Sequence, residues 1–239
     1  MSRKTIRFFS ITGLIFVLAG VLIWYVMNNP TDSMVERMLA GEVIMRTLRE
    51  HIVLVVVSML GAMLVGIPGG ILISRPRFYK VGKVLENVVN VGQTVPSLAI
   101  LAIFYSVLGL GFNTAVFAIW LYSILPILRN TFAGISSIND EVIESARGMG
   151  MTPWRILLRI ELPLAAPIIV AGIRTAIVIN VGTATLATFI GAGGLGDLIV
   201  TGLSIRRNMV IVTGAALSAL LAILLDFWIG ELKSRLVSW

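Results

Sequence analysis

The chain of 239 residues has no cysteine, one histidine, and charged residues at only 13% of its positions. The absence of cysteine rules out disulfides, thiolate nucleophiles and sulfur metal sites. The lone His51 stands at the mouth of an apolar segment, where an interfacial residue is expected rather than a ligand or a base. Soluble proteins carry about a quarter charged residues, and 57% of this chain is hydrophobic. It reads as an integral membrane protein. Acidic residues are scarce beside basic ones, 12 against 19, for a net charge of +7. The basic residues sit in short clusters beside apolar runs, a positive-inside pattern that argues against nucleic acid as a partner. No phosphate-cradling loop is present, so the chain does not itself hold ATP. Gly191, Gly193 and Gly196 have dinucleotide-fingerprint spacing, but they follow a membrane helix instead of opening a Rossmann unit. No nucleophile and base pair or metal-ligand cluster appears, so catalytic and metal residues are predicted to be none. The middles of the apolar runs also lack the carboxylates and histidines that relay ions in a secondary carrier, which leaves that reading, or a solute channel, as the alternative.

Six apolar runs are long enough to consider as spans, about 20 residues being needed for a bilayer. They are Phe8 to Met27, His51 to Ile73, Leu85 to Leu108, Thr114 to Leu128, Leu164 to Ile190 and Met209 to Gly230. The first is too long for a signal-peptide core and lacks a small-residue cleavage site, so it is taken as retained. With both termini cytoplasmic, Arg3, Lys4, Arg7, Arg75, Arg77, Lys80, Lys83, Arg129, Arg147, Arg155, Arg159, Lys233 and Arg235 lie inside. Only Arg37, Arg46, Arg49, Arg206 and Arg207 lie outside, so the inverted topology fails the positive-inside test. This divides the chain into residues 1–50 (first helix and external segment), 51–230 (transmembrane core) and 231–239 (cytoplasmic tail). Arg174 in the fifth run is expected to reach the headgroups, and Asp226 near the end of the sixth to pair with a neighbouring cation.

Between the fourth and fifth runs the chain turns polar. Ser137-Ile138-Asn139-Asp140 reads as a capping box opening a short amphipathic helix. Gly148 and Gly150 end that helix, and Thr152-Pro153 start another, a capping hydroxyl before a proline at the first helical position. Pro163 and Pro167 are expected to end the second helix and turn the chain into the fifth run. A helix, a glycine turn and a helix projecting from a membrane protein form a knob suited to docking.

That knob resembles the cytoplasmic signature of ABC importer permeases: Glu-Ala-Ala, three residues, Gly, nine residues, Ile, one residue, Leu-Pro. Here it reads Glu144-Ser145-Ala146, Gly150, Ile160 and Leu162-Pro163, with Ser145 the one departure. The stretches Gly92 to Ala99 and Asn180 to Ala187, with the glycine-rich Gly191 to Gly196, are similar to permeases of osmoprotectant importers. The resemblance implies an all-α membrane protein with the type I ABC importer permease fold and a cytoplasmic coupling helix. It implies a multi-pass permease subunit in a bacterial inner membrane, importing a compatible solute such as glycine betaine, choline or carnitine, or another small amine or amino acid. The implied partners are ABC ATPase subunits that bind ATP and Mg, a second permease subunit, identical or related, an external solute-binding protein and the lipid bilayer. Glu144, Ser145, Ala146, Gly150, Ile160, Leu162 and Pro163 are the expected ATPase-coupling residues. Gln93, Thr94, Pro96, Ser97, Asn180 and Thr183 are the expected lining of a translocation path, neutral dipoles suited to a solute of little net charge.

Overall fold

The computed structural model describes residues 3–236, and every regular element among them is helical. In chain order the helices are α1 (Arg3–Asn28), α2 (Ser33–Met38), α3 (Gly41–Ile73), α4 (Tyr79–Gly92), α5 (Ser97–Leu108), α6 (Phe112–Ser136), α7 (Asp140–Gly148), α8 (Pro153–Ile156), α9 (Leu162–Leu186), α10 (Gly196–Ser204) and α11 (Asn208–Leu236). Five continuous helical stretches are long and apolar enough to cross a membrane: Ile6–Asn28, Gly41–Ile73, Phe112–Ser136, Pro153–Ile190 and Asn208–Glu231.

The third expected run is divided. Leu85 to Leu108 is shared between α4 and α5, which are separated at Gln93 to Pro96. Pro96 has no amide to donate and forces the preceding residue toward extended geometry, so the helix cannot run through. Elsewhere proline is absorbed. Pro68 lies inside an unbroken α3, and Pro163 and Pro167 do not turn the chain as expected. Pro163 falls at the start of α9, directly after a local change in hydrogen-bond register. Just before it, Leu157–Glu161 form one wide π turn that joins α8 to α9. The resulting rod, Pro153–Ile190, has 38 residues. At 1.5 Å per residue it is about 57 Å long against a hydrocarbon core of about 30 Å, so one end must project.

The core is built where α3, α6 and α9 pack side by side, with α11 against α9. Leu54, Val55, Met59, Ala62, Ile119, Ile127, Ile177 and Val181 fill it. Gly70 makes the α3–α6 contact possible, because a Cβ there would lie 2.5 Å from Cβ of Thr131 and 2.9 Å from the Leu128 carbonyl. Close backbone approach at small residues is how membrane helices gain packing without a hydrophobic drive between them. A second cluster joins Val26 of α1, Val35, Leu39 and Ile44 to Leu195 and Leu198 beside α11. The expected external loop after the fifth run is therefore substantially folded: α10 lies packed on α11 instead of hanging free. The second expected run likewise begins earlier, at Gly41, and His51 is fully buried inside α3, not at an interface. The Val181 backbone lies near its ring, yet neither ring nitrogen completes a hydrogen bond.

α1 stands apart. It packs on α11 through the Phe8–Phe227 ring stack at 5.8 Å and a 3.2 Å bond from Trp228 Nε1 to the Thr12 hydroxyl. Phe9, Phe16, Val17, Val21 and Trp24 are exposed along its other face.

Candidate functional site

The knob forms as the sequence pattern suggests, with one change in its cap. Asn139, not Ser137, caps α7, its Oδ1 accepting from the Glu141 amide at 3.0 Å. The Ser137 hydroxyl instead donates to the Gly134 carbonyl at 2.9 Å, closing the end of α6. A serine at the C-cap of a long helix is placed to satisfy that helix's free carbonyls, three residues back, instead of the next helix's amides. Gly150 has φ +77°, and the Met151 amide reaches back to the Ala146 carbonyl at 3.1 Å. That left-handed turn brings α8 back against α7, and the Thr152 hydroxyl accepts from the Arg155 amide at 3.4 Å to begin it.

The signature residues divide by burial. Glu144, Ser145 and Gly150 are exposed, Ala146 is fully buried beneath them, and Ile160, Leu162 and Pro163 are half-buried where the knob's second arm enters the rod. Around the exposed residues stand large apolar side chains with no cover: Val142, Met149 (74% exposed), Trp154 (67%) and Leu158. Isolated exposed apolar residues are ordinary, but this group crowns one projecting knob, as a contact surface does.

A feature that motif reading passed over fixes the knob's base. Glu161, between Ile160 and Leu162 of the signature, is 8% exposed and takes both donors of Arg75, at 3.0 and 2.5 Å. This bidentate pair ties the π turn to the residue just beyond the end of α3. An acidic residue set among Leu157, Ile160 and Leu162 was the available signal.

The six expected path residues fall into two groups. Gln93, Thr94, Pro96 and Ser97 occupy the α4–α5 break, with Thr94 and Pro96 exposed. The Tyr122 hydroxyl of α6 braces that break, sharing its proton between the carbonyls of Gln93 at 3.3 Å and Val95 at 3.4 Å. Asn180 and Thr183 are buried inside the chain. Asn180 Nδ2 donates to the hydroxyls of Ser58 and Ser123, each at 2.9 Å, joining α9 to α3 and α6. Asn180 is thus a three-helix staple.

Two further polar arrangements shape the opposite end. Gly194 donates its amide to Glu50 at 3.1 Å, and the Thr188 hydroxyl bonds Asp197, so the glycine-rich loop is seated on α3 and on the start of α10. Asp32 caps α2, accepting from the Met34 and Val35 amides, and meets Arg207 at 2.7 Å. Among the described residues no group of His, Cys, Asp and Glu could hold a metal ion.

The fold matches that of a chain in a solved ABC transporter. A chain from the MetNI methionine ABC transporter in an inward-facing conformation superposes with a TM-score of 0.72 over 81% of this chain and 95% of that one, at 24% identity. Among curated proteins, the choline transport system permease OpuBB of Bacillus subtilis is 43% identical over 82% of this chain and 89% of its own length. The glycine betaine/carnitine/choline permease OpuCD of the same organism is 44% identical over 82% of this chain and 85% of its own length. The osmoprotectant import permease OsmY of Salmonella typhimurium is 41% identical over 94% of both chains. A family model covers residues 66–238, which take in the last turns of α3, the knob and all of α11, and the chain belongs to the family of binding-protein-dependent transport system inner membrane components.

Proposed function

We propose that this chain is the permease subunit of an ATP-driven importer of compatible solutes such as glycine betaine, choline or carnitine. The observation that carries the reading is the knob: a signature-bearing helical turn with exposed Glu144, Met149 and Trp154, rooted by Arg75–Glu161 in a rod that crosses the span. In this reading the knob sits in a cleft of a partner ATPase, which binds ATP and Mg. Two permease subunits, identical or related, enclose the path, and an external binding protein supplies the solute. Both termini are cytoplasmic and the membrane is the bacterial inner membrane. Residues 51–230 form the transport core. The solute class is supported by curated relatives at 41–44% identity named for choline, carnitine, glycine betaine and osmoprotectants.

Closure of the ATPase pair on ATP draws two knobs together, and each rigid rod carries that motion into the membrane. The path is assigned to the broken helix at Gln93, Thr94, Pro96 and Ser97, where backbone unsuited to lipid contact is tolerated beside a cavity. Asn180 and Thr183 support that wall from behind, inside the α3, α6 and α9 core. The test is purification from mild detergent followed by reconstitution with whatever co-purifies. An ATPase should accompany the chain, and ATP-dependent uptake of a labelled quaternary amine should exceed that of an anionic amino acid. Uptake without an ATPase, or preference for the anion, defeats the proposal.

A further inference from the structure

Arg174 of α9 and Asp226 of α11 form a bidentate pair, Nε to Oδ1 and Nη2 to Oδ2, both 2.7 Å. The side chains are 43% and 30% exposed, so the pair lies on an outer wall of the subunit, not in its core. Arg174 is twelve residues from the end of α9 and Asp226 eighteen from the start of α11, or about 18 and 27 Å along their axes. That places the pair in the cytoplasmic half of the span. Two charges turned toward hydrocarbon at that depth are strongly disfavoured. Their wall is also unlike the lipid-type face of α1. It continues along α9 through Ala171, Thr175, Gly182 and Thr185, small or polar residues with Val178 among them, while α1 carries Phe9, Phe16 and Trp24. α1 engages α11 through Phe227 and Trp228, which leaves Asp226 uncovered. A cleft of about 490 Å³ opens beside the pair, lined by Ala171, Arg174, Thr175, Val178, Ile179 and Asp226.

We propose that Arg174 and Asp226 are a solute-contact site and gate on the inner part of the path, opened by exchange of partners with a zwitterion. The inference rests on the importer reading above. A compatible solute with a carboxylate and a quaternary ammonium is the complement of this pair. Its carboxylate takes the Arg174 fork, and its ammonium takes Asp226. Every charge keeps an opposite charge throughout, so the pair parts for such a solute and closes behind it. A simple cation such as choline satisfies Asp226 but strands the guanidinium, and an anion strands the carboxylate. The pair therefore favours zwitterions at a point where the rest of the proposed path offers only neutral dipoles.

The experiment uses the whole transporter in vesicles, with glycine betaine and choline as probes. Arg174→Gln should lower betaine uptake at least 10-fold more than choline uptake, reversing the preference, whereas Asp226→Asn should lower both to a similar degree. The exchanged pair, Arg174→Asp with Asp226→Arg, should recover betaine uptake, since either orientation complements a zwitterion. Assembly with the ATPase, read by size exclusion, should match wild type in each. Equal loss of both solutes in Arg174→Gln, no loss in either single variant, no recovery in the exchanged pair, or failed assembly assigns the pair to structure and overturns the gate. A wild-type transporter that imports choline alone also overturns it. If wild type imports no quaternary amine, the importer reading fails and the gate falls with it.

Discussion

Glu161 accepts both donors of Arg75 while almost wholly buried, so deleting either partner leaves a charge with nothing opposite it. Arg75 is one-third exposed and regains some water, which sets the expected cost of Glu161→Gln at about 2–3 kcal/mol rather than the larger figure for a fully buried pair. Thermal unfolding in detergent measures the loss, and exchanging the charges, Arg75→Glu with Glu161→Arg, should restore part of it. Asp32 makes a prediction in pH. The Val35 amide foremost, then the Met34 amide and the Arg207 guanidinium, hold its carboxyl below the ordinary value of 3.8, against a desolvation that acts the other way. A depressed folded value means the capping contribution is complete above the unfolded value and is lost as pH falls through the folded one. Amide exchange at Met34 and Val35, corrected for its intrinsic pH dependence, should therefore stay level across about pH 5 to 8 and rise only in stronger acid. A rise near neutrality would remove the cap from the account. Single residues were the hardest to place from the sequence. Asn180 looked like path lining because a buried amide and an amide facing water are the same letter, and only the approach of Ser58 and Ser123 from other helices distinguishes them.

The knob, as an element, depends on one backbone conformation and one exposed surface. Gly150→Val forces a β-branched residue to φ +77°, which costs about 1–3 kcal/mol and is expected to reshape the turn. Uptake should be lost while membrane insertion persists. Trp154→Ala leaves the turn intact and removes the largest exposed apolar contact, so it should weaken ATPase co-purification at least 10-fold with little change in Tm. If ATPase recovery is unchanged in both, the knob is not the docking surface. This element was legible because its signals are local: a glycine needing positive φ, a threonine before a proline, and charges breaking an apolar run. The broken helix was half legible. Polar residues at Gln93 to Ser97 marked an irregularity, but hydropathy averages over such breaks and reports one run. Continuity through Pro163 was hidden for the opposite reason, since a π turn leaves no compositional mark. The folding of α10 onto α11 depends on contacts between distant residues such as Leu198 and Leu217, which no local pattern encodes.

For the whole molecule, the orientation of the spans is open to a direct test, helped by the lack of native cysteine. Ser136 and Ser204 are both exposed, at the inner end of α6 and on α10 in the proposed topology. An impermeant thiol reagent applied outside intact cells should label Ser204→Cys and spare Ser136→Cys. The reverse result inverts the molecule and defeats the cytoplasmic placement of the knob. The apolar runs were visible at this scale from the start, whereas the break in the third run does not show in hydropathy and the packing of α3 on α6 and α9 is set by contacts between distant residues. α1 is the spanning helix least enclosed by the rest of the chain. Only 6% of its apolar window is buried, against 28–44% for the other four spanning stretches, so its stability as a helix is supplied by lipid more than by protein. The rest of the chain holds it through few buried side chains, Ile15 and Val26 among them. Parity gives the helix a consequence during biosynthesis in the proposed topology: a core beginning at α3 would push its own N-terminus across the membrane, whereas α1, with Arg3, Lys4 and Arg7 in its first turns, would keep the terminus on the synthesising side. In the proposed topology α1 then acts as an insertion guide for α3, the span that follows it.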